Sequence, residues 1–334
     1  MDTINYPARL PLAQESTPLQ YLKHCSEQSD GPRIWVKRDD LTGSVLSGNK
    51  VRKLSFSLAE ALAQGCDTVI TCGGVQSNHC RATAIACAQL GLRCHLILRG
   101  EESGVADGNV LLGQLAGASI SYYPAKVYFS QLEQLFADWQ HHYAEQGGKA
   151  FAIPTGASDG IGIWGYIQCA EELASDFAAH QIEPGHILCA SGSGGTQAGL
   201  TVGAELFNLN ALVHGVNVCD DAAWFNRKVA DDIAEWLSHY PQASAYQGPP
   251  QVSTIDGYVG PGYAKATSAV YATIQSAARL DGLILDPVYT GKAFMGMLAE
   301  RNQGRFNDSE DIVFIHTGGV FGLYPYKEQL FDDK

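Results

Sequence analysis

Lys50 stands in the run Ser47-Gly-Asn-Lys-Val-Arg-Lys-Leu54, which places three cations where a glycine turn opens a helix. The helix macrodipole disfavours cations at that end, so helix stability does not account for them. A lysine in positive surroundings has a lowered pKa and is the kind that forms Schiff bases. Three solvated surface charges would give the same run. A second turn, Ser191-Gly-Ser-Gly-Gly-Thr-Gln-Ala-Gly199, follows an apolar strand and precedes an apolar helix start. Its glycines admit close backbone approach, and the helix start offers free N–H groups to an anion. Ser193, Gly194, Gly195 and Thr196 are thus candidate donors of a phosphate cradle. No lysine follows, as a nucleotide triphosphate loop would require, and Gln197 occupies the third glycine position of G-x-G-x-x-G. A tight helix start without any ligand stays open as a reading.

Two further places have the same build. Gly73-Gly-Val-Gln-Ser77-Asn78-His79 lies at a strand end before a helix, and its hydroxyl, amide and N–H groups suit a carboxylate. His79 by itself is more often structural than catalytic. Asp286-Pro-Val-Tyr289-Thr290-Gly-Lys292 and Phe314-Ile-His-Thr317-Gly-Gly319 each put a hydroxyl after an apolar strand, though each could be a plain turn. No H-E-x-x-H and no clustered His/Cys spacing occurs, so no metal is implied.

The elements that must hold these turns alternate along the chain. RIWVKRDD, DTVITCGG, RCHLILRG, ISYYPA, AFAIPTG, HILCASGSGG, LVHGVNVCD, LILDPVY and DIVFIHTGG read as apolar strands, most ending in a Gly-, Asp- or Thr-rich turn. KLSFSLAEALAQG, HCRATAIACAQLG, FSQLEQLFADWQHHYAEQ and AKATSAVYATIQSAARL read as helices. Strand, polar turn, helix, repeated, predicts parallel sheets with right-handed crossovers and ligands at the carboxyl ends of the strands. The stretch AYQGPPQVSTIDGYVGPGY reads as a long loop, of the kind that often serves as a functional lid.

Composition narrows the partners. The 334 residues are 46% hydrophobic and 17% charged, enough for two modest domains with buried cores. A net charge of -13 repels phosphate backbones, which argues against nucleic acid. The nine cysteines include no C-x-x-C pair, and they read as small buried hydrophobes in a reducing compartment. The opening MDTINYPARLPLAQ has no basic segment followed by an apolar core, and no apolar run approaches the ~18 residues that span a bilayer. The expected location is the cytoplasm.

Taken together, SGNKVRKL, TCGGVQSNHCRAT, GNVLL, GIWGYIQCAEE, GSGGTQAGL, GPGYAKATS, ILDPVYTGKAFMGM and IHTGGVFGLY resemble the tryptophan-synthase-β-like (fold type II) pyridoxal-phosphate enzymes. Within them the chain is similar to the group of D-cysteine desulfhydrase and 1-aminocyclopropane-1-carboxylate deaminase. The resemblance implies an α/β fold of two domains with the cofactor, pyridoxal 5'-phosphate, in the cleft between them. Residues 1–51 and 162–334 would form the larger domain and 52–161 a smaller inserted one, in a homodimer.

It also implies roles. Lys50 would hold the cofactor as a Schiff base and shuttle the α-proton. Asn78 would bond the cofactor's phenolic oxygen, while Ser77 and the amides of Asn78 and His79 receive the substrate carboxylate. Ser193, Gly194, Gly195 and Thr196 would cradle the phosphate; Tyr263 and Tyr289 would handle protons or the leaving group. Thr317 and Thr290 would face the pyridine nitrogen. The deaminases carry a glutamate where this chain has Thr290. A carboxylate there deepens the electron sink that ring opening needs, whereas thiolate departure tolerates a weaker one. The implied activity is therefore α,β-elimination of D-cysteine to pyruvate, ammonia and hydrogen sulfide. Deamination of the cyclopropane amino acid, or a lyase acting on another β-substituted alanine such as L-cysteate, is the alternative. After Tyr263 the chain reads AKATS rather than the GVPN of some relatives, which implies a differently built substrate-side loop.

Overall fold

The computed structural model describes residues 4–102, 104–241, 243 and 245–331. Its ten strands form two sheets. The larger runs β1 (Leu19–Tyr21), β2 (Arg33–Lys37), β10 (Asp311–Ile315), β7 (His186–Ser191), β8 (Leu212–Asn217) and β9 (Ser253–Ile255). Only the β1–β2 pairing in it is antiparallel. The smaller is wholly parallel: β5 (Ser119–Tyr123), β4 (Arg93–Arg99), β3 (Thr68–Gly74) and β6 (Ala150–Ile153). Among the described residues ten α-helices cover them: α1 (Lys23–Ser26), α2 (Asn49–Ala63), α3 (Asn78–Leu90), α4 (Gly108–Leu115), α5 (Ala125–Glu145), α6 (Trp164–His180), α7 (Gly195–Leu206), α8 (Ala222–His239), α9 (Ser268–Asp281) and α10 (Thr290–Asn302).

Parallel strands covered by helices on both faces bury every residue, and β3, β7 and β10 do so throughout. Alternation splits each strand between two cores. Leu188, Phe314 and Val216 pack with Phe294 and Met297 on one face of the larger sheet. Ile187, Val313 and Val213 pack with Tyr166 and Leu200 on the other. The smaller sheet repeats this, with Val69 and Leu96 on one face and Ile70 and Ile97 on the other. Both sheets thus aim the C-terminal turns of their strands at shared ground.

One expected strand is not there. In LILDPVY, Leu283 and Leu285 are buried in the core but pair with no strand among the described residues. Pro287 lacks an N–H to donate, and Asp286 is turned to another task. Its carboxylate accepts from the backbone N–H of Val288, Tyr289 and Thr290 and so starts α10. Conversely, the stretch expected as loop contains β9, paired in parallel with β8. Among the described residues no helix is long and apolar enough to cross a membrane.

Candidate active site

One cavity of about 550 Å³ lies where the turns after β3, β6, β7 and β10 meet. Lys50, Ser77, Asn78, His79, Ser193, Gly194, Thr196, Tyr263, Tyr289 and Thr317 all line it. Gly195 and Thr290 do not.

Lys50 sits in the first turn of α2, whose preceding Gly48 has φ +90. A Cβ on Gly48 would lie 2.8 Å from the Thr317 carbonyl, so only glycine lets the helix start this close to the turn after β10. The same carbonyl accepts the Asn49 N–H, and the Asn49 side chain donates to Thr196 Oγ1 at 3.0 Å. Burial pushes the Lys50 amine down to about 8. Desolvation is the cause, and the neighbouring Cys189 acts in the opposite direction.

The three cations of this turn have separate fates. Arg52 is fully buried and bonded at 2.9 Å to both Asp39 oxygens and at 2.7 and 2.8 Å to Glu172, far from any role at the cavity. Lys53 turns under the cavity floor and donates at 3.1 Å to Gly156 O and Ser158 Oγ. Burial first, then the Lys50 charge, holds Lys53 well below the ordinary lysine value.

The carboxylate turn is a helix N-terminus. Ser77 caps α3 by accepting from the Cys80 N–H, which leaves the first-turn amides of Asn78 and His79 without helical acceptors. Asn109 donates to Asn78 Oδ1 at 3.0 Å and so orients that amide, leaving its NH₂ group to face outward. His79 Nε2 is bonded to Thr71 at 2.7 Å, while its buried Nδ1 has no partner. Burial and the two lysines keep the ring neutral, far below its ordinary value.

At the cradle, Gly194 has φ +89 ahead of α7, and Ser158 joins from the turn after β6. Ser158 Oγ donates to Ser193 Oγ at 2.8 Å and accepts the Gly195 N–H at 3.1 Å. Gly156, at φ +69, faces the same spot: a Cβ there would come within 2.4 Å of Ser193 Oγ and 3.3 Å of Lys50 Nζ. Lys228 lines the cavity beside Gly194 and is paired with the buried Asp232, which burial pushes up to about 6. The sequence does not single out Ser158 or Asn109 as site residues, and it marks Lys53 only as one of three cations. The turn TGASDG after the strand AFAI has the same glycine–hydroxyl make-up as the turns singled out, and was the signal for Ser158.

The opposite wall is aromatic. The hydroxyls of Tyr263 and Tyr289 meet at 2.6 Å. Burial pushes Tyr263 up to about 12 and Tyr289 well above its usual value, so both stay protonated. Of the two hydroxyls expected to face the pyridine nitrogen, Thr317 lines the cavity. Thr290 is wholly buried, donates to Asp286 Oδ1 at 2.7 Å and accepts the Asp286 N–H at 2.8 Å. The expectation for Thr290 is corrected accordingly: its hydroxyl serves the start of α10.

The chain matches the pyridoxal-phosphate dependent enzymes over residues 10–318. It belongs to that family. It is 40% identical to the bifunctional D-cysteine desulfhydrase/1-aminocyclopropane-1-carboxylate deaminase of Arabidopsis thaliana, over 90% of this chain and 76% of that one. It is 38% identical to the D-cysteine desulfhydrase of Klebsiella pneumoniae, over 96% and 97% of the two chains. Among solved structures, an ACC deaminase homologue superposes with a TM-score of 0.87 at 34% identity, covering 97% of this chain and 96% of that one. The fold is the α/β architecture of fold type II pyridoxal-phosphate enzymes, with two parallel-rich sheets flanked by helices.

The residues fit that cofactor. Two lysines with lowered pKa values and a neutral buried histidine surround a cradle whose Gly156 is kept bare. Buried amines held below their ordinary values gain from an anion placed beside them, and a phosphate supplies one.

Proposed function

We propose that this protein catalyses α,β-elimination of D-cysteine, releasing pyruvate, ammonia and hydrogen sulfide. Ser193, Gly194, Thr196 and the α7 N-terminus would hold the cofactor phosphate, with Lys53 and Ser158 beneath. Lys50 would anchor the cofactor covalently and Asn78 would donate to its phenolic oxygen. When bound, pyridoxal phosphate supplies the sink for the electron pair left at Cα. The Lys50 amine, about half of it neutral at pH 8, is suited to take the Cα proton. Ser77 and the α3 amides would receive the substrate carboxylate. Tyr263 and Tyr289 share one proton-donating pair at 2.6 Å and can hand a proton to the departing sulfur.

One observation carries the choice of D-cysteine. The turn that holds Thr317 offers a hydroxyl, and Asp286, a carboxylate beside that turn, is spent. Asp286 would touch a Cβ on Gly319 at 2.5 Å, yet it is wholly buried and its oxygens accept from residues 288–290. Without a carboxylate to protonate the ring nitrogen, the sink suits departure of a good leaving group better than ring opening. Holoenzyme given D-cysteine and, separately, the cyclopropane amino acid should release pyruvate with sulfide from the first and little 2-oxobutyrate from the second. Fast 2-oxobutyrate formation with negligible sulfide would replace this reading by the deaminase.

The same proposal includes cytoplasmic residence, a homodimer, and a domain division at residues 51/52 and 161/162. The dimer finds support in α4, where Leu111 and Leu115 stand exposed one turn apart. Light scattering of the purified holoenzyme checks it.

A further inference from the structure

Arg99 ends β4 beside the cavity and lines it. In a chain with 35 acidic against 22 basic residues, a half-buried guanidinium would ordinarily meet a carboxylate. Among the described residues Arg99 meets none. Its Cζ instead lies 4.6 Å from the Tyr263 ring, 4.7 Å from Phe129 and 5.6 Å from Tyr128. Aromatic faces hold the cation in place but leave its N–H edges unspent, since a ring accepts charge and not a directed hydrogen bond. One of those edges lies over the end of β3: a Cβ on Gly74 would be 3.7 Å from Arg99 Nη2 and 3.2 Å from Tyr263 Cε1. Gly74 keeps the cation and the tyrosine pair in contact with the same space. Glu133 and Asp220 also line the cavity, and among the ion pairs of the described residues neither is joined to Arg99.

We propose that Arg99 is the receptor for the group that leaves as an anion from the substrate's β-carbon. This rests on the elimination reading above. In the step it serves, the Cβ–S bond breaks with its electron pair on sulfur, and the Cα proton goes to a base. Hydrosulfide then forms against Arg99 and takes its proton from the tyrosine pair. The three-carbon fragment takes up one water and yields pyruvate and ammonia, so no oxidant or reductant is needed. Arg99 donates no proton; it lowers the cost of the charge that appears on the leaving atom. A substrate without such an atom gains nothing from it.

Three measurements on holoenzyme test this: kcat/KM for keto-acid release from D-cysteine, the same from β-chloro-D-alanine, and exchange of the D-alanine α-proton into deuterated water. Arg99→Met should lower both eliminations at least about tenfold and change D-alanine exchange by less than about twofold. Arg99→Lys, which keeps the charge, should recover part of the loss. Equal loss of elimination and exchange would mean that Arg99 only supports the wall. Unchanged elimination in Arg99→Met would mean that it does not meet the leaving group. Either result overturns the inference and leaves the reading of the site intact. If unmodified holoenzyme releases keto acid from the cyclopropane amino acid and from neither β-substituted alanine, the reading falls and takes this inference with it.

Discussion

The two ends of the cavity are built by different means. The end at α7 is mostly backbone: helix N–H groups, bare glycines at Gly156 and Gly194, and one short chain of hydroxyls from Ser158 to Ser193. The end at Tyr263 is all side chain, assembled from β4, α5 and the loop before α9. Backbone can recognise a group common to every substrate cycle, because its geometry is fixed by the fold. Side chains set apart one substrate from another, because they can be exchanged without moving a strand.

The largest effect should come from where the two ends join. Lys50→Ala should abolish the adduct that borohydride fixes between protein and cofactor, and turnover with it, while the α7 end still binds cofactor reversibly. Mass spectrometry of the reduced protein checks this; a retained adduct would shift the assignment to Lys53.

Next, Gly195→Val should damage the α7 end alone. Its Cβ would fall 2.7 Å from Lys53 Nζ and 2.9 Å from Ser158 Cα, a clash with backbone that no rotamer relieves. Cofactor Kd should rise at least about tenfold, or about 1.4 kcal/mol. Phe129→Ala, at the other end, should leave that Kd within about twofold. Similar losses from both, measured by fluorescence titration, would erase the distinction between the ends.

A smaller effect is set by pH. Only the neutral Lys50 amine can attack an aldehyde, and burial lowers its pKa to about 8. Cofactor capture by the apoenzyme should therefore quicken about tenfold per unit from pH 6 and level off above about pH 8. A plateau delayed until above pH 10 would indicate a solvated lysine. The smallest effect should come from Thr290→Val, which deprives Asp286 of one donor and should cost about 1 kcal/mol in urea unfolding. An unchanged midpoint would mean that the backbone N–H groups suffice to hold Asp286.

Most of the α7 end could be read in the sequence, since a glycine-rich turn between an apolar strand and an apolar helix leaves few geometries. Lys50 could be read too, but for an incomplete reason. Positive neighbours predict a lowered pKa, but burial alone lowers it, and the neighbouring Cys189 pulls the other way. Arg52 shows why composition alone misleads: it sits two residues from Lys50 and is consumed by Asp39 and Glu172, which pattern cannot pair across 120 residues. LILDPVY misread as a strand for a related reason. Leu283 and Leu285 are buried as a strand's inward residues would be, with Ile284 exposed between them, and it is Pro287 and the hydrogen bonds of Asp286 that distinguish the segment from a strand. The aromatic end was legible only at its two tyrosines, because Arg99, Tyr128 and Phe129 carry no local signature.

The guanidinium of Arg52 bears on how such a protein can change over generations. Removing one partner from a buried pair of this kind costs about 3–5 kcal/mol, a large part of what keeps a domain folded. Asp39, Glu172 and Arg52 are thus positions where single changes are selected against before any new activity can be tested. The first turn of α2 would stay nearly silent in a mutagenesis library. Phe129, 68% exposed on α5, lies outside that constraint, and new substrate preferences would have to be acquired from its side of the cavity.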